Sequence, residues 1–277
     1  MPTKRRVRRH RYTAATADKY VLYQKAVQSP EMDSDFLARI FRTTRGRDAL
    51  HFREDFCGTG LLSAHWIRRG RGRSAEGFDL DPEPVAWGLE HNFGFLREGP
   101  EDAPNRWTVH LKDVRHPGLR PCDLRVAQNF SYCVFRTRAE LVGYFRAARE
   151  SLAPDGLFVI DLHGGHESTE ELEEEKRCGG FTYVWDQASF WPGTGEYTCH
   201  IHFRFPDGSE MRRAFSYHWR MWYLTELSDA LRDAGFARVD RYFEGSDEKG
   251  TGGNGIFRKG VRGENCPSWI AYLAALR

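Results

Sequence analysis

Short apolar segments alternate with amphipathic segments from residue 49 onward. The apolar segments predict strands, at residues 50–52, 75–80, 107–111, 124–128 and 157–162. Between most of them, apolar residues recur every three to four positions, which is typical of helices that bury one face. Strands that alternate with helices at this spacing predict right-handed crossovers and an open, mostly parallel sheet.

The pattern changes after the fifth predicted strand. Residues 181–185, 197–205 and 213–217 alternate between polar and apolar side chains, and turn sequences rich in proline and glycine separate them. Such alternation indicates strands with one face buried and one face in water. We therefore expect an antiparallel β insertion, or lid, over residues 166–221.

The α/β pattern returns near the C-terminus. It predicts a helix at 224–234, strands at 238–243 and 256–258, and a short C-terminal helix that contains Trp269 and Leu273. Together with the five earlier strands, this gives an α/β fold class: a doubly wound, seven-stranded, mostly parallel sheet of the Rossmann-like kind. We expect this core domain to comprise residues 46–165 and 222–277.

The N-terminal region precedes the sheet. Residues 1–12 form a strongly basic tail, which we expect to be disordered, and two predicted helices at 14–28 and 33–45 form a helical cap over residues 13–45. Tyr20 and Tyr23 fall at helical spacing in this cap. They either pack against the next domain or face a bound substrate.

Composition and charge narrow the class of protein. The 277 residues carry a formal net charge of only +2, with 29% charged residues, which does not indicate a nucleic-acid binder overall. The basic run at residues 4–11 could still contact RNA, DNA or an acidic partner. No CxxC pair, bilayer-spanning run or signal-like start occurs, so we expect a cytoplasmic protein without a metal site or membrane partner. The sequence carries no signal for an oligomeric state.

The stretch HFREDFCGTG at residues 51–60 predicts a strand, a glycine turn and the start of a helix. This arrangement lets a nucleotide lie against bare backbone. A dinucleotide site would have a third glycine where this chain has Ser63, and the acids Glu54 and Asp55 would repel a pyrophosphate by about 1–3 kcal/mol. The acidic pair instead favours a ligand that carries positive charge.

Two further acids follow predicted strands. Asp79 ends the second strand, about twenty residues beyond the turn, where a carboxylate can accept both hydroxyls of a ribose. Asp113 follows the third strand and could accept a hydrogen bond from an adenine amino group. Because Asp79 would serve NAD as well as any other adenosine ligand, it indicates an adenosine without choosing between them.

With these residues the chain resembles the class I S-adenosylmethionine-dependent methyltransferases. The matching motifs occur in the family's order, at residues 54–60, 77–81, 112–114, 123–130 and 152–160. The resemblance covers roughly residues 46–163 and 222–260. One residue departs from the family's pattern: Phe56 stands where the first glycine of the turn is usual.

The resemblance implies S-adenosyl-L-methionine as the cofactor and assigns its contacts. Its methionine part would lie against Glu54, Cys57, Gly58 and Gly60. Separately from the resemblance, the position of Arg53 just ahead of the turn suggests that it reaches the cofactor carboxylate. The ribose and adenine would lie against Asp79, Leu80, Asp113 and Val114, over a floor formed by Asn129 and Phe130.

Methyl transfer from a sulfonium depends mainly on positioning and desolvation, so no catalytic triad is required. His163 and Tyr132 follow the fifth and fourth strands and are the candidate catalytic groups; Tyr20, Tyr23 and Trp185 are the candidate substrate contacts. The run after the fourth strand lacks the Asn-Pro-Pro-aromatic signature of nucleic-acid and glutamine N-methyltransferases. Its absence disfavours an exocyclic-amine or amide substrate. We expect a small-molecule methyl acceptor.

Three alternatives stay open. The enzyme could methylate RNA or protein through its basic tail. It could also bind the cofactor without turnover, or be a nicotinamide oxidoreductase.

Overall fold

The computed structural model describes residues 12–96, 103–246 and 253–277, so the basic run at 4–11 lies outside the described residues. The chain divides into two compact units. The smaller unit contains the chain up to Gln28 together with Glu170–Trp219, and the larger unit contains Ser29–Thr169 and Arg220–Arg277.

The described part of the chain contains six α-helices and twelve strands. The helices are α1 (Lys19–Val27), α2 (Pro30–Arg45), α3 (Leu61–Arg68), α4 (Pro82–His91), α5 (Arg138–Glu150) and α6 (Leu224–Asp233). The first six strands are β1 (His51–Asp55), β2 (Ser74–Asp79), β3 (Trp107–Leu111), β4 (Cys122–Ala127), β5 (Leu152–Gly164) and β6 (Leu172–Arg177). The others are β7 (Thr182–Trp191), β8 (Glu196–Arg204), β9 (Glu210–Arg220), β10 (Arg238–Ser246), β11 (Gly253–Lys259) and β12 (Trp269–Leu276).

The larger unit is built on an eight-stranded sheet with the order β11-β10-β12-β5-β4-β1-β2-β3. Strands β1 to β5 are parallel to one another, whereas β12 lies between β5 and β10 and is antiparallel to both. This confirms the doubly wound α/β fold class, with eight strands in place of the predicted seven. The carboxyl ends of β1, β2, β4 and β5 meet at one edge of the sheet, where ligands bind in folds of this kind.

The predicted C-terminal helix is wrong, because Trp269–Leu276 is strand β12. Its apolar residues fit helical spacing, but the whole stretch from Ala271 to Leu276 is buried. A strand that is paired on both sides and covered on both faces has a continuous apolar sequence, which periodicity alone does not distinguish from a buried helix.

Strand β1 has two different faces although all five of its residues are buried. Phe52 stacks on Trp66 of α3, with ring centroids 4.8 Å apart, inside the main hydrophobic core. Because side chains alternate along a strand, Arg53 and Asp55 lie on the opposite face. Because the last three residues of this strand are charged, the pattern of apolar residues predicted that the strand ends at residue 52.

The residues at the N-termini of the helices determine where the helices begin. Helix α1 begins only at Lys19, since the carboxylate of Asp18 accepts the backbone N–H groups of Tyr20 and Val21. Helix α2 begins at Pro30, which needs no backbone N–H partner at that position. Helix α5 begins with a capping box, in which Thr137 and Glu140 each accept the other's backbone N–H through a side-chain oxygen.

The smaller unit contains helix α1 and the four-stranded sheet β6-β7-β8-β9. Its core includes Leu22, Phe181, Ile201 and Phe203. Strand β6 was not predicted, because its sequence LEEEKR is almost wholly charged; it is an exposed edge strand, where such residues discourage further pairing. Residues 13–45, predicted as one cap, are divided between the units: α1 belongs to the smaller and α2 to the larger.

None of the helices in the described ranges combines the length and the apolar character needed to cross a membrane.

Candidate functional site

The turn between β1 and α3 is fixed to the end of β2 by backbone hydrogen bonds. The N–H of Cys57 donates to the carbonyl of Phe78 at 3.0 Å, and the N–H of Gly58 donates to the Asp79 carboxylate at 2.8 Å. The N–H of Gly60 closes the turn on the Cys57 carbonyl at 2.7 Å. The predicted ribose acid and the predicted glycine turn therefore form one rigid structure.

Phe56 keeps the left-handed backbone conformation that a glycine would adopt most easily, with a φ of 55°. Its ring packs near Phe135 and Tyr144, with centroid distances of 6.2 and 6.0 Å. The aromatic contacts offset the strain of about 1–3 kcal/mol that a non-glycine residue incurs here. The departure from the usual glycine thus leaves the path of the turn intact.

The two glycines of the turn have different functions. A Cβ atom at Gly58 would meet no atom within 4 Å, so open space lies directly beside this backbone. A Cβ atom at Gly60 would come within 2.9 Å of the Phe93 ring, so this glycine allows close packing. Gly58 is therefore the position where a ligand can approach the bare backbone.

Glu54 faces the start of helix α3. Its carboxylate accepts the N–H of Ser63 at 3.0 Å and the Ser63 hydroxyl at 2.5 Å. Burial raises the pKa of Glu54 to about 7, and the negative charge of nearby Asp79 adds to the rise. Burial also raises the pKa of Asp79.

Asp55 does not act with Glu54 as an exposed acidic pair, which corrects the charge argument made from the sequence. Its carboxylate accepts the Nε–H groups of Arg53 at 2.9 Å and Arg125 at 2.6 Å, and the hydroxyl of Tyr144 at 2.7 Å. All four side chains are buried. Asp55 is therefore neutralised inside the protein, and only Glu54 bears on the turn.

Arg53 is likewise not directed toward a ligand. Besides Asp55, its guanidinium donates to the carbonyl of Val114 at 2.6 Å and lies 3.8 Å from the centre of the Phe78 ring. The expectation that Arg53 reaches a cofactor carboxylate is wrong for this structure, because the side chain is committed to the interior.

The end of β4 contains two successive residues in the left-handed conformation, Asn129 (φ 57°) and Phe130 (φ 58°). Their N–H groups donate to the carboxylate of Asp161 in β5, at 2.7 and 3.0 Å. Burial raises the pKa of Asp161 to about 7. Sequence reasoning missed Asp161; the available signal was a lone acid inside the apolar run of β5.

Asp33 is a second acid that sequence reasoning missed. It lies on helix α2, accepts the hydroxyl of Tyr272 at 3.4 Å, and has its pKa raised to about 6 by burial. Its negative charge contributes to the raised pKa values of both Glu54 and Asp161. These three acids and Asp79 make the carboxyl edge of the sheet electronegative.

The two candidate catalytic groups have different surroundings. Tyr132 is only 1% exposed and its hydroxyl donates to the backbone carbonyl of Asp161 at 2.8 Å, so it stabilises the β4–β5 edge and does not reach a ligand. His163 is half-buried at the end of β5, with its ring 4.6 Å from that of Phe130. Burial lowers the pKa of His163 to about 4, so the imidazole is neutral at pH 7.

Residues predicted to contact adenine lie after β2 and β3. Leu80 is 70% exposed, and Leu111, whose register partner on β2 is Asp79, is 54% exposed. The carboxylate of Asp113 accepts the N–H and the guanidinium of Arg115, and these bonds lower its pKa. The exposed leucines form an apolar surface at this edge of the sheet, and Leu111 was not predicted.

The predicted substrate contacts Tyr20, Tyr23 and Trp185 all belong to the smaller unit. Tyr20 and Tyr23 pack on the ring of Phe215, with centroid distances of 5.9 and 5.0 Å. The Trp185 ring lies 6.3 Å from that of Tyr217. Within their own unit these side chains build the aromatic core, and their role toward a substrate stays a prediction.

The smaller unit also brings Glu173, Asp186 and His202 close enough to suggest a metal site. The backbone N–H of Arg213 donates to Nδ1 of His202 at 2.7 Å, so the ring proton must lie on Nε2, which donates to Asp186 at 3.0 Å. A protonated nitrogen has no lone pair for a metal ion. The group is therefore a hydrogen-bonded pair beside an acidic residue.

The chain was compared with protein families, with curated sequences and with solved structures. No protein-family model matches the chain, and no curated protein sequence matches it. Solved structures do match over nearly the whole chain. One is an S-adenosylmethionine-dependent methyltransferase from Clostridium acetobutylicum, with 18% identity, a TM-score of 0.65, and coverage of 93% of this chain and 97% of that one.

Two further similar structures are sugar-modifying enzymes. An amino pentose methyltransferase from Micromonospora echinaspora, solved with bound S-adenosylmethionine, has 18% identity and a TM-score of 0.64, and the match covers 93% and 95% of the two chains. A sugar N-methyltransferase from Streptoalloteichus has 19% identity and a TM-score of 0.60, with coverage of 94% and 93%. The chain therefore has the fold of the S-adenosylmethionine-dependent methyltransferases.

Proposed function

We propose that this protein is an S-adenosylmethionine-dependent methyltransferase that acts on a small-molecule acceptor. The observation that carries the proposal is the cradle formed by Gly58 and Asp79: open space beside a glycine backbone, with a carboxylate fixed to that same backbone. The shared fold and the order of the motifs support it.

The charges of the site fit this cofactor. S-adenosylmethionine carries a sulfonium and an ammonium. Burial raises the pKa values of Asp33, Glu54, Asp79 and Asp161. The negative charges of Asp79 and Asp33 add to the rise at Glu54, and that of Asp33 adds to the rise at Asp161. A positively charged ligand relieves this repulsion, whereas a pyrophosphate would increase it. The same comparison disfavours a nicotinamide dinucleotide.

Each part of the cofactor has residues suited to it. We assign its ribose to Asp79, its methionine part to Glu54, Cys57, Gly58 and Gly60, and its adenine to Leu80, Leu111, Asp113 and Val114. The rigid floor would be Asn129 and Phe130, whose backbone is held by Asp161. When bound, the cofactor supplies a methyl group on an electrophilic sulfonium.

We propose an amino nitrogen as the atom that is methylated. Two of the similar structures are described as an amino pentose methyltransferase and a sugar N-methyltransferase. An amine arrives protonated at neutral pH and must lose a proton before it can attack. That proton passes to water, because burial lowers the pKa of His163 to about 4 and makes its imidazole too weak a base to hold it. We assign His163, at the carboxyl end of β5, to orient the neutral amine as a hydrogen-bond partner.

The test is product formation. The purified protein would be incubated with isotope-labelled S-adenosylmethionine and matched acceptors, each amino sugar paired with the sugar that has a hydroxyl in place of the amine. We expect labelled methyl on the amine only. Exclusive methylation of hydroxyl acceptors would contradict the amine assignment. Cofactor binding without transfer to either acceptor type, or to small molecules of a cell extract, would favour a non-catalytic binding protein.

A further inference from the structure

The segment between β3 and β4, residues 112–121, contains no helix and is held to the sheet by buried polar groups. Its Val114 carbonyl accepts two guanidinium N–H groups, from Arg53 and from Arg125, each at 2.6 Å. A second attachment is the N–H of Leu119, which donates to the Glu76 carboxylate at 3.0 Å. Charged side chains therefore define where this segment lies.

The two arginines are themselves fixed. Asp55 accepts an Nε–H from each of them, and Arg125 also donates to the carbonyl of Ala147 at 3.1 Å and the hydroxyl of Ser151 at 2.6 Å, at the end of helix α5. Both arginine side chains are at most 2% exposed. Because they are buried and multiply bonded, they hold the carbonyl in one position.

The held carbonyl belongs to the peptide group that joins Val114 to Arg115. On its other side, the N–H of Arg115 donates to Oδ1 of Asp113 at 2.8 Å. A peptide group is planar, so fixing its carbonyl fixes the direction of its N–H. The guanidinium of Arg115 also bonds both carboxylate oxygens of Asp113, at 2.8 and 2.7 Å. Arg115 therefore orients the Asp113 carboxylate directly, and the two buried arginines fix the backbone from which Arg115 does so.

We propose that Arg53 and Arg125 are positioning residues for recognition of the purine base. Through the Val114–Arg115 peptide they aim the Asp113 carboxylate, which distinguishes a 6-amino purine from a 6-oxo purine because a carboxylate accepts a hydrogen bond from an amine and repels a carbonyl oxygen. The proposal rests on the proposed function, since it takes residues 113 and 114 as the adenine contacts.

The experiment compares binding of S-adenosylhomocysteine and S-inosylhomocysteine by calorimetry. The wild-type protein should prefer the adenine compound. Arg53→Met leaves Asp55 paired with Arg125 and Tyr144, and should reduce the preference about tenfold through lost alignment. Tyr144→Phe is the matched control, since it removes one bond to Asp55 without touching Val114, and it should keep the wild-type preference.

A second measurement needs no variant. In the wild-type protein without ligand, hydrogen exchange at the amide of Arg115 should be slower than is usual for an amide in a surface segment. The reason is that its peptide group is held on both sides. Exchange at the rate of an unstructured peptide would overturn the proposal, as would an unchanged base preference in a folded Arg53→Met protein. If the wild-type protein binds neither compound, the proposed function itself fails, irrespective of the exchange result.

Discussion

Individual carboxylates in the larger unit have separate functions, determined by what their oxygens accept. Asp161 accepts hydrogen bonds from two backbone N–H groups and so holds Asn129 and Phe130 in the left-handed conformation. Asp55 accepts hydrogen bonds from the side chains of two arginines and a tyrosine. Asp79 accepts the N–H of Gly58 while it remains half-exposed at the sheet edge. Only the last arrangement leaves a carboxylate able to contact a ribose.

The substitution Asp79→Asn tests this assignment. It should weaken binding of S-adenosylmethionine at least tenfold, because an amide accepts only one of the two ribose hydroxyls and brings no negative charge. Asp81→Asn is the control. The side chain of Asp81 caps α4, and its backbone N–H, which donates to the Asp79 carboxylate at 2.9 Å, is kept by asparagine. This variant removes a neighbouring negative charge without changing Asp79 and should leave the affinity nearly unchanged. Equal losses for both variants, measured by calorimetry, would mean that general charge and not the position of Asp79 matters.

The raised pKa values give stability a pH dependence of known sign. Between the ordinary carboxyl pKa and about 7, the folded protein holds protons on Glu54 and Asp161 that the unfolded chain has lost. These two acids, together with Asp33, therefore lower the free energy of unfolding as the pH rises from about 4 to about 7. His163, whose pKa is lowered from 6.5 to about 4, acts in the opposite direction, but the three acids outweigh the one histidine. Glu76, whose pKa is held near 2 against its burial by hydrogen bonds from His51 and Leu119, contributes only below this window.

Urea unfolding across that window should show this decrease, and Glu54→Gln should make it shallower. Cofactor affinity should have the opposite trend, because ionised acids bind a cation more tightly. A wild-type stability that rises steadily through the same window would contradict the burial of these acids.

At the scale of elements, the strand–turn–helix unit β1–α3 and helix α4 form the cradle together. A Cβ atom at Gly88 of α4 would lie only 2.1 Å from the carbonyl oxygen of Thr59, so this glycine lets the helix press directly on the turn. Gly58, in the same turn, has open space beside it. Gly88 therefore allows close packing, and Gly58 allows a ligand to approach.

The alanine variants of these two glycines should separate the two functions. Gly88→Ala should lower stability by about 1–3 kcal/mol through overpacking against backbone. Gly58→Ala should cost less, about 1–2 kcal/mol from its left-handed conformation, yet abolish most cofactor binding. Thermal unfolding and calorimetry measure both effects; normal binding by Gly58→Ala would exclude this turn as the cradle.

The parallel strands β1 to β5 and the positions of Glu54, Gly58 and Asp79 at strand ends and in the glycine turn could be predicted because each depends on a local pattern. The contribution of Asp33 and Asp161 could not be predicted. It depends on how close helix α2 and strand β5 come in the folded chain, and the sequence pattern does not show this. Strand β12 was mistaken for a helix because burial on both faces removes the alternation that marks a strand. The structural role of Asp55 became clear only once its arginine partners were known.

At the scale of the whole molecule, the modest net charge of +2 and the acidic edge of the sheet fit a small acceptor better than a polyanion. Removing residues 1–11 would delete most of the clustered basic charge. We expect the truncated protein to methylate a small amine at the wild-type rate, with no change in its salt dependence. A large, salt-dependent loss in a methylation assay would instead indicate an RNA or protein substrate.

The central claim is that the Gly58–Asp79 cradle binds S-adenosylmethionine, and calorimetric titration of the wild-type protein tests it most directly. NAD⁺ serves as the comparison ligand, because it has the same adenosine but a pyrophosphate in place of the cationic methionine part. The account predicts saturable binding of S-adenosylmethionine with one site per chain and no measurable binding of NAD⁺. Absence of S-adenosylmethionine binding, or tighter binding of NAD⁺, would contradict it.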